Sequence, residues 1–155
     1  MYAAWNREMA QAIAMEKRAE PGALLPILRA LQDTFGYIDR EAVVMVAEIL
    51  NLSRAEVHGV VTFYHDFRDK PAGRHVLKLC VAESCQARGA TALAERARTH
   101  LGVSFGETSR DGSVTLDEVY CLGLCSVSPS AMLDGKVVGR LDEDKLDRLL
   151  TETAT

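Results

Sequence analysis

Two stretches decide the fold: His75-Val76-Leu77-Lys78-Leu79-Cys80-Val81 and, further along, Ser113-Val114-Thr115-Leu116-Asp117-Glu118-Val119-Tyr120, which runs directly into Cys121. In the first, Val76, Leu77, Leu79 and Val81 give the pattern of a mostly buried strand. The second is rich in residues that favour extended structure. Between them Ala90, Leu93, Ala94, Ala97 and Leu101 recur at helical spacing and stop at Gly102, a residue suited to ending a helix. The sequence therefore predicts a strand, helix, strand unit whose two strands run in parallel. Each strand ends at a cysteine, so the two ends meet.

Downstream, Ala131 to Leu133 and Lys136 to Gly139 flank Asp134-Gly135, a dipeptide whose positive backbone dihedrals suit a two-residue hairpin turn. Leu141, Leu146, Leu149 and Leu150 then mark a closing helix. The acidic run Asp142-Glu143-Asp144 at its start is read as capping and helix-dipole chemistry, since no calcium-loop pattern accompanies it. The total order is compatible with a thioredoxin-like sheet.

Upstream the period changes. Asp69-Lys70-Pro71-Ala72-Gly73 is the candidate boundary, and the chain before it reads as helix after helix. Leu24, Leu25, Ile27, Leu28, Leu31 and Phe35 form a stripe ending at Gly36, with Pro26 early enough to be tolerated. Asp39 caps a second helix carrying Val43, Val44, Val46, Ala47 and Leu50, which Asn51 stops in the left-handed conformation. Ser53-Arg54-Ala55-Glu56 is a capping box. The helix it opens presents Val57, Val60, Val61 and Tyr64, with Phe63 and Phe67 extending the apolar surface. The expected fold class is thus α+β or α/β. A helical bundle over 1–72 precedes a thioredoxin-like domain over 73–155 with a mixed four-stranded sheet and flanking helices.

With 155 residues, 48% hydrophobic and 26% charged, the chain can bury one substantial core. Its formal net charge is -4, and neither half carries an excess of Lys and Arg, which argues against nucleic acid as a partner. Charged residues interrupt the first twenty positions too often for a signal peptide or a membrane span. The expected setting is cytoplasmic, where the four cysteines stay reduced and metal binding or redox chemistry becomes their leading explanation.

Cys80 and Cys85 are separated by four residues and Cys121 and Cys125 by three. Two loops that each offer a short-spaced thiolate pair suit a [2Fe-2S] cluster, which needs four soft sulfur ligands. Ser84, Gly89, Gly123, Ser126 and Ser128 leave backbone N–H groups approachable, and donors aimed at sulfur tune the potential. A four-cysteine zinc site uses similar spacings. A dithiol oxidoreductase favours C-x-x-C, which neither pair has.

Elsewhere, His58 and His65 lie seven apart without carboxylates or cysteines beside them, and are read as surface or docking residues. His75 is read as an ordinary polar edge position and His100 as an ordinary helix-end residue. Trp5, Phe63, Tyr64 and Phe67 suit either a partner surface or packing within the bundle.

The residues Gly59-Val60-Val61-Thr62-Phe63-Tyr64-His65-Asp66-Phe67, Gly106-Glu107-Thr108 with Asp111-Gly112, and above all Cys121-Leu122-Gly123-Leu124-Cys125 with Pro129 carry a resemblance over nearly the whole chain. The chain resembles the thioredoxin-like [2Fe-2S] subunits that accompany a flavin protein in respiratory complex I, NAD-reducing hydrogenases and NAD-dependent formate dehydrogenases. Phe63-Tyr64-His65-Asp66-Phe67 and Ala82-Glu83-Ser84-Cys85-Gln86-Ala87 look most like the gamma subunit of molybdenum-dependent, NAD-linked formate dehydrogenase.

The resemblance implies one [2Fe-2S] cluster on Cys80, Cys85, Cys121 and Cys125, an oxidoreductase subunit without a substrate-converting site of its own, and a docking role for the helical segment. It also implies a neighbouring subunit holding FMN and the NAD site and, through it, a catalytic subunit holding the molybdenum cofactor. In the fold so implied, Pro129 precedes a strand and can be cis. Complex I members often carry longer N-terminal extensions than the one seen here, which leans toward the smaller soluble assemblies.

Overall fold

The computed structural model describes residues 2–153. The chain forms two compact units, Met1–Pro71 and Ala72–Thr155.

Among the described residues the first unit contains four helices, α1 (Arg7–Lys17), α2 (Leu24–Phe35), α3 (Arg40–Leu50) and α4 (Arg54–Phe63). Their ends follow the cap chemistry in the sequence. Asn6, Asp39 and Ser53 each accept a backbone N–H from the first turn they precede. Gly36 and Asn51 stop α2 and α3 in the left-handed conformation, at φ 81° and 54°. Both arms of the Ser53–Glu56 capping box form.

Ile27, Leu28, Leu31 and Phe35 from α2 and Val46 and Val57 from α3 and α4 are buried around Ala10 and Ala14, whose small side chains let α1 lie close. Each buried aliphatic side chain of this kind contributes about 1.5–3 kcal/mol. Trp5 closes the end of the core edge-on to Phe35, with ring centroids 5.0 Å apart. After α4, Gln32 holds the returning chain with both ends of its amide: it donates to the Asp66 carbonyl and accepts from the Arg68 N–H.

The second unit runs β1 (His75–Cys80), α5 (Glu83–Ala87), α6 (Ala90–Leu101), β2 (Glu107–Thr108), β3 (Val114–Val119), a 3-10 turn at Cys125–Val127, β4 (Ala131–Leu133), β5 (Lys136–Val138) and α7 (Glu143–Glu152). The sheet order is β2-β3-β1-β4-β5. β1 and β3 pair in parallel, in register from His75 opposite Val114 to Cys80 opposite Val119. All other pairings are antiparallel.

Among the described residues the sheet is mixed and has five strands, one more than the four expected. The extra strand, β2, has only two residues, too few to show any period. Leu77, Leu79, Val114 and Leu116 pack with Leu93 and Ala97 of α6 and Leu146 and Leu150 of α7 as the main core. Arg96 of α6 reaches Asp147 of α7 through two charge-assisted bonds of 2.9 and 2.7 Å. Asp134 and Gly135, both at positive φ, make the β4–β5 turn. Asp134 also returns its carboxylate to the Val76 N–H and the His75 ring. His75 is therefore a structural partner of the hairpin, at the start of a strand paired on both sides.

Candidate metal centre

β1 and β3, pinned side by side in the middle of the sheet, set the site. Cys80 is the last residue of β1, and Cys121 follows two residues beyond Val119, its neighbour across the ladder. Side chains alternate along a strand, so Cys80 projects to the face opposite Leu77 and Leu79. There it leaves the main core and joins Cys85 and Ala90 in a separate small cluster, edged by Ala82, Val119 and Leu122. Cys85 comes from α5, a single helical turn that folds back directly after the strand.

Cys121 holds a φ of 118°, a value that a side-chain-bearing residue reaches only at a cost of about 1–3 kcal/mol, as is common at functional sites. The unusual backbone turns the chain out of β3 and through Gly123, itself at φ 77°, into the 3-10 turn that begins at Cys125. The Ser128–Pro129 bond is cis.

The four thiols, all free, stand as two pairs. The sulfurs of Cys121 and Cys125 are 3.6 Å apart and both residues are exposed. Cys80 and Cys85 are each 2% exposed, and their thiols hydrogen-bond one another. Cys80 and Cys85 also act electrostatically on Cys125. Among the described residues, no three His, Cys, Asp or Glu side chains gather as a compact group around one ion.

Donors surround the sulfurs. The Gly123 N–H reaches Cys121 Sγ at 3.2 Å, the N–H groups of Ala82 and Leu122 reach Cys80, and the Ser130 N–H reaches Cys85. Burial pushes the Cys80 thiol up, but donation from Ala82, Cys85, Ser130 and Leu122 outweighs it and holds the group below the usual cysteine value. For Cys85 burial wins, and the thiol lies above that value. The bond to Cys121, reinforced by its charge, raises Cys125 as well. Four such thiols, two by two, with N–H groups aimed at sulfur, fit a two-iron cluster, since soft thiolates suit iron and outer donors stabilise their charge.

The sequence reading named all four cysteines, and the structure places them as two pairs, Cys80 with Cys85 and Cys121 with Cys125. It did not single out Ser130, which is 2% exposed and whose hydroxyl lies 3.6 Å from Cys85 Sγ. Nothing in the local sequence marks Ser130 apart from its place after Pro129. Of the other residues weighed, Phe63 is 72% and Tyr64 43% exposed, so these rings contribute little to the bundle interior. Phe67 does pack against that core, with its ring 6.1 Å from that of Tyr64.

The family model for the thioredoxin-like [2Fe-2S] ferredoxin matches residues 10–154. An NADH-quinone oxidoreductase subunit of Rhizobium meliloti (strain 1021) is 37% identical over 144 residues, covering 93% of this chain and 86% of that protein. NADP-reducing hydrogenase subunit HndA of Solidesulfovibrio fructosivorans is 30% identical over 146 residues, covering 94% and 85%. In fold, the chain matches an NAD+-reducing [NiFe]-hydrogenase in the air-oxidized state with a TM-score of 0.73 at 23% identity, over 89% of its own length. It spans 24% of that hydrogenase chain. On the strength of the family match and the relatives, this chain belongs to the thioredoxin-like [2Fe-2S] ferredoxin family and holds one [2Fe-2S] cluster.

Proposed function

We propose that this chain is the [2Fe-2S] electron-transfer subunit, gamma, of a cytoplasmic NAD-dependent formate dehydrogenase, with Cys80, Cys85, Cys121 and Cys125 as the cluster ligands. The observation that carries the ligand assignment is the convergence of two thiol pairs at the adjoining ends of parallel strands β1 and β3. When bound, the cluster supplies one-electron chemistry, and a flavin in a neighbouring subunit converts single electrons to the two-electron hydride of NAD.

The protein's own part is to hold and to insulate. Cys80 and Cys85 are sealed from water, whereas Cys121 and Cys125 lie at the surface, so the second pair marks the side open to a redox partner. Backbone donors from Ala82, Leu122, Gly123 and Ser130 neutralise part of the thiolate charge without adding a proton. The helical unit ending at Pro71 serves as a docking segment toward the FMN- and NAD-binding subunit, through which the chain joins a molybdenum-containing catalytic subunit. Among the described residues no helix is long and apolar enough to cross a membrane.

Phe63-Tyr64-His65-Asp66-Phe67 and Ala82-Glu83-Ser84-Cys85-Gln86-Ala87 support the formate dehydrogenase assignment. A second reading, the equivalent subunit of respiratory complex I or of a hydrogenase, is favoured by the names of the relatives at 37% and 30% identity. The two are separated by purifying the tagged chain with its native neighbours and assaying NAD reduction. Formate-dependent activity with molybdenum in the preparation supports the first. Hydrogen-dependent activity, or NADH oxidation coupled to a quinone without either donor, replaces it with the second.

A further inference from the structure

Ser130 touches the buried thiol pair in four ways. Its carbonyl accepts the Cys80 N–H at 3.0 Å, and its own N–H donates to Cys85 Sγ. Its hydroxyl lies 3.6 Å from Cys85 Sγ and also hydrogen-bonds the Cys80 thiol. The residue is 2% exposed, so water does not compete for that hydroxyl. Its position is fixed on both sides: β4 begins at the next residue and pairs with β1, Ala131 opposite Leu79, while the Pro129 carbonyl preceding it accepts the Leu141 N–H at 2.9 Å.

Ser128, equally buried, differs in direction. Its hydroxyl is paired with that of Ser84 at 3.0 Å. The exposed pair has a backbone donor at Gly123.

We propose that Ser130 is a positioning residue for the electron-transfer reaction, its single hydroxyl proton shared between the thiolates of Cys80 and Cys85 and raising the reduction potential of the cluster they hold. The inference rests on the assignment of these two cysteines as ligands. Reduction adds negative charge that spreads onto the ligand sulfurs, and a donor aimed at sulfur stabilises the reduced state more than the oxidised one. A buried hydroxyl does this in a low-dielectric setting, where its dipole is screened least. Removing it while keeping the backbone contacts of residue 130 therefore moves the potential downward, without removing a ligand.

The test compares the holoprotein with S130A, S130G and S130T. Iron and acid-labile sulfide are counted first, and midpoint potentials are then read by titration under anaerobic conditions with EPR detection. Wild-type protein lacking iron and sulfide removes the ligand assignment itself, separately from the role of Ser130. With the cluster present, the expected result is a midpoint more negative than wild type in S130A and S130G, an altered EPR line shape, and return toward the wild-type midpoint in S130T. An unchanged midpoint in a cluster-loaded S130A overturns the proposal. If S130A and S130G hold no cluster while S130T loads and titrates like wild type, the hydroxyl is needed for assembly of the cluster rather than for its potential, and the proposal falls. If S130T fails with them, the contribution of Ser130 is its packing and the proposal falls.

Discussion

The hydroxyl of Ser84 donates to the carbonyl oxygen of Cys125 at 3.1 Å, and so ties the loop of the buried thiol pair to the loop of the exposed one. The same hydroxyl is 3.0 Å from that of Ser128. A four-ligand centre built from two loops depends on their spacing more than on either loop's internal shape, and Ser84 acts on that spacing.

Replacing Ser84 by Ala removes the tie and leaves all four cysteines in place. The expected cost is about 1 kcal/mol, read as a lower unfolding midpoint. Visible absorbance is also expected to bleach faster than in wild type when a chelator is added. Bleaching at the wild-type rate would show that the loops hold their spacing without it.

Replacing Cys121 by Ala takes a sulfur from the exposed pair. The purified variant is expected to lose the visible absorbance and most of the iron and sulfide, whereas S126A, changed at an exposed neighbour, keeps them. Metal analysis and the dithionite-reduced EPR signal give the answer directly.

Glu56 supplies a pH dependence whose sign is fixed by its capping bonds. The Ser53 N–H and hydroxyl hold its carboxyl below its ordinary value of 4.5. A depressed carboxyl stabilises the fold above the unfolded value and loses that contribution as pH falls through the folded one. The advantage of wild type over E56A is therefore expected at neutral pH and should shrink as pH falls below 4.5. Urea unfolding followed by Trp5, the one tryptophan in the chain, reads this in the helical unit. An advantage that grows on acidification contradicts the capping assignment.

Gly139 lies against Val127, whose carbonyl and side chain sit 3.1 and 2.6 Å from where a Cβ at position 139 would be. Val127 closes the turn that starts at Cys125. G139A is expected to cost about 1–3 kcal/mol through overpacking and to alter the EPR line shape. Thermal unfolding and EPR of the same preparation check both.

What the sequence disclosed divides along physical lines. Helix ends were legible because caps are local: Asp39, Ser53 with Glu56, Gly36 and Asn51 each act within a few residues. The parallel pair β1 and β3 was legible because both strands are buried and each runs into a cysteine. β2 and α5 escaped notice because two residues and a single turn are too short to show a period. The four thiols were named from spacing and resemblance, but their division into a sealed pair and an exposed one follows from tertiary burial. Ser130 was invisible for a similar reason, since its hydroxyl acts across 45 positions of sequence.

The pleat of β1 has a consequence for how this chain tolerates insertions and deletions. Losing one residue between Leu77 and Cys80 would swing the cysteine from its own pocket into the layer beneath α6 and α7, because successive side chains point to opposite faces. Residues added between Leu101 and Glu107 leave the alternation of β1 unchanged. Length variants are therefore filtered unequally along this chain, with a hard constraint of parity in one short strand that other segments do not share.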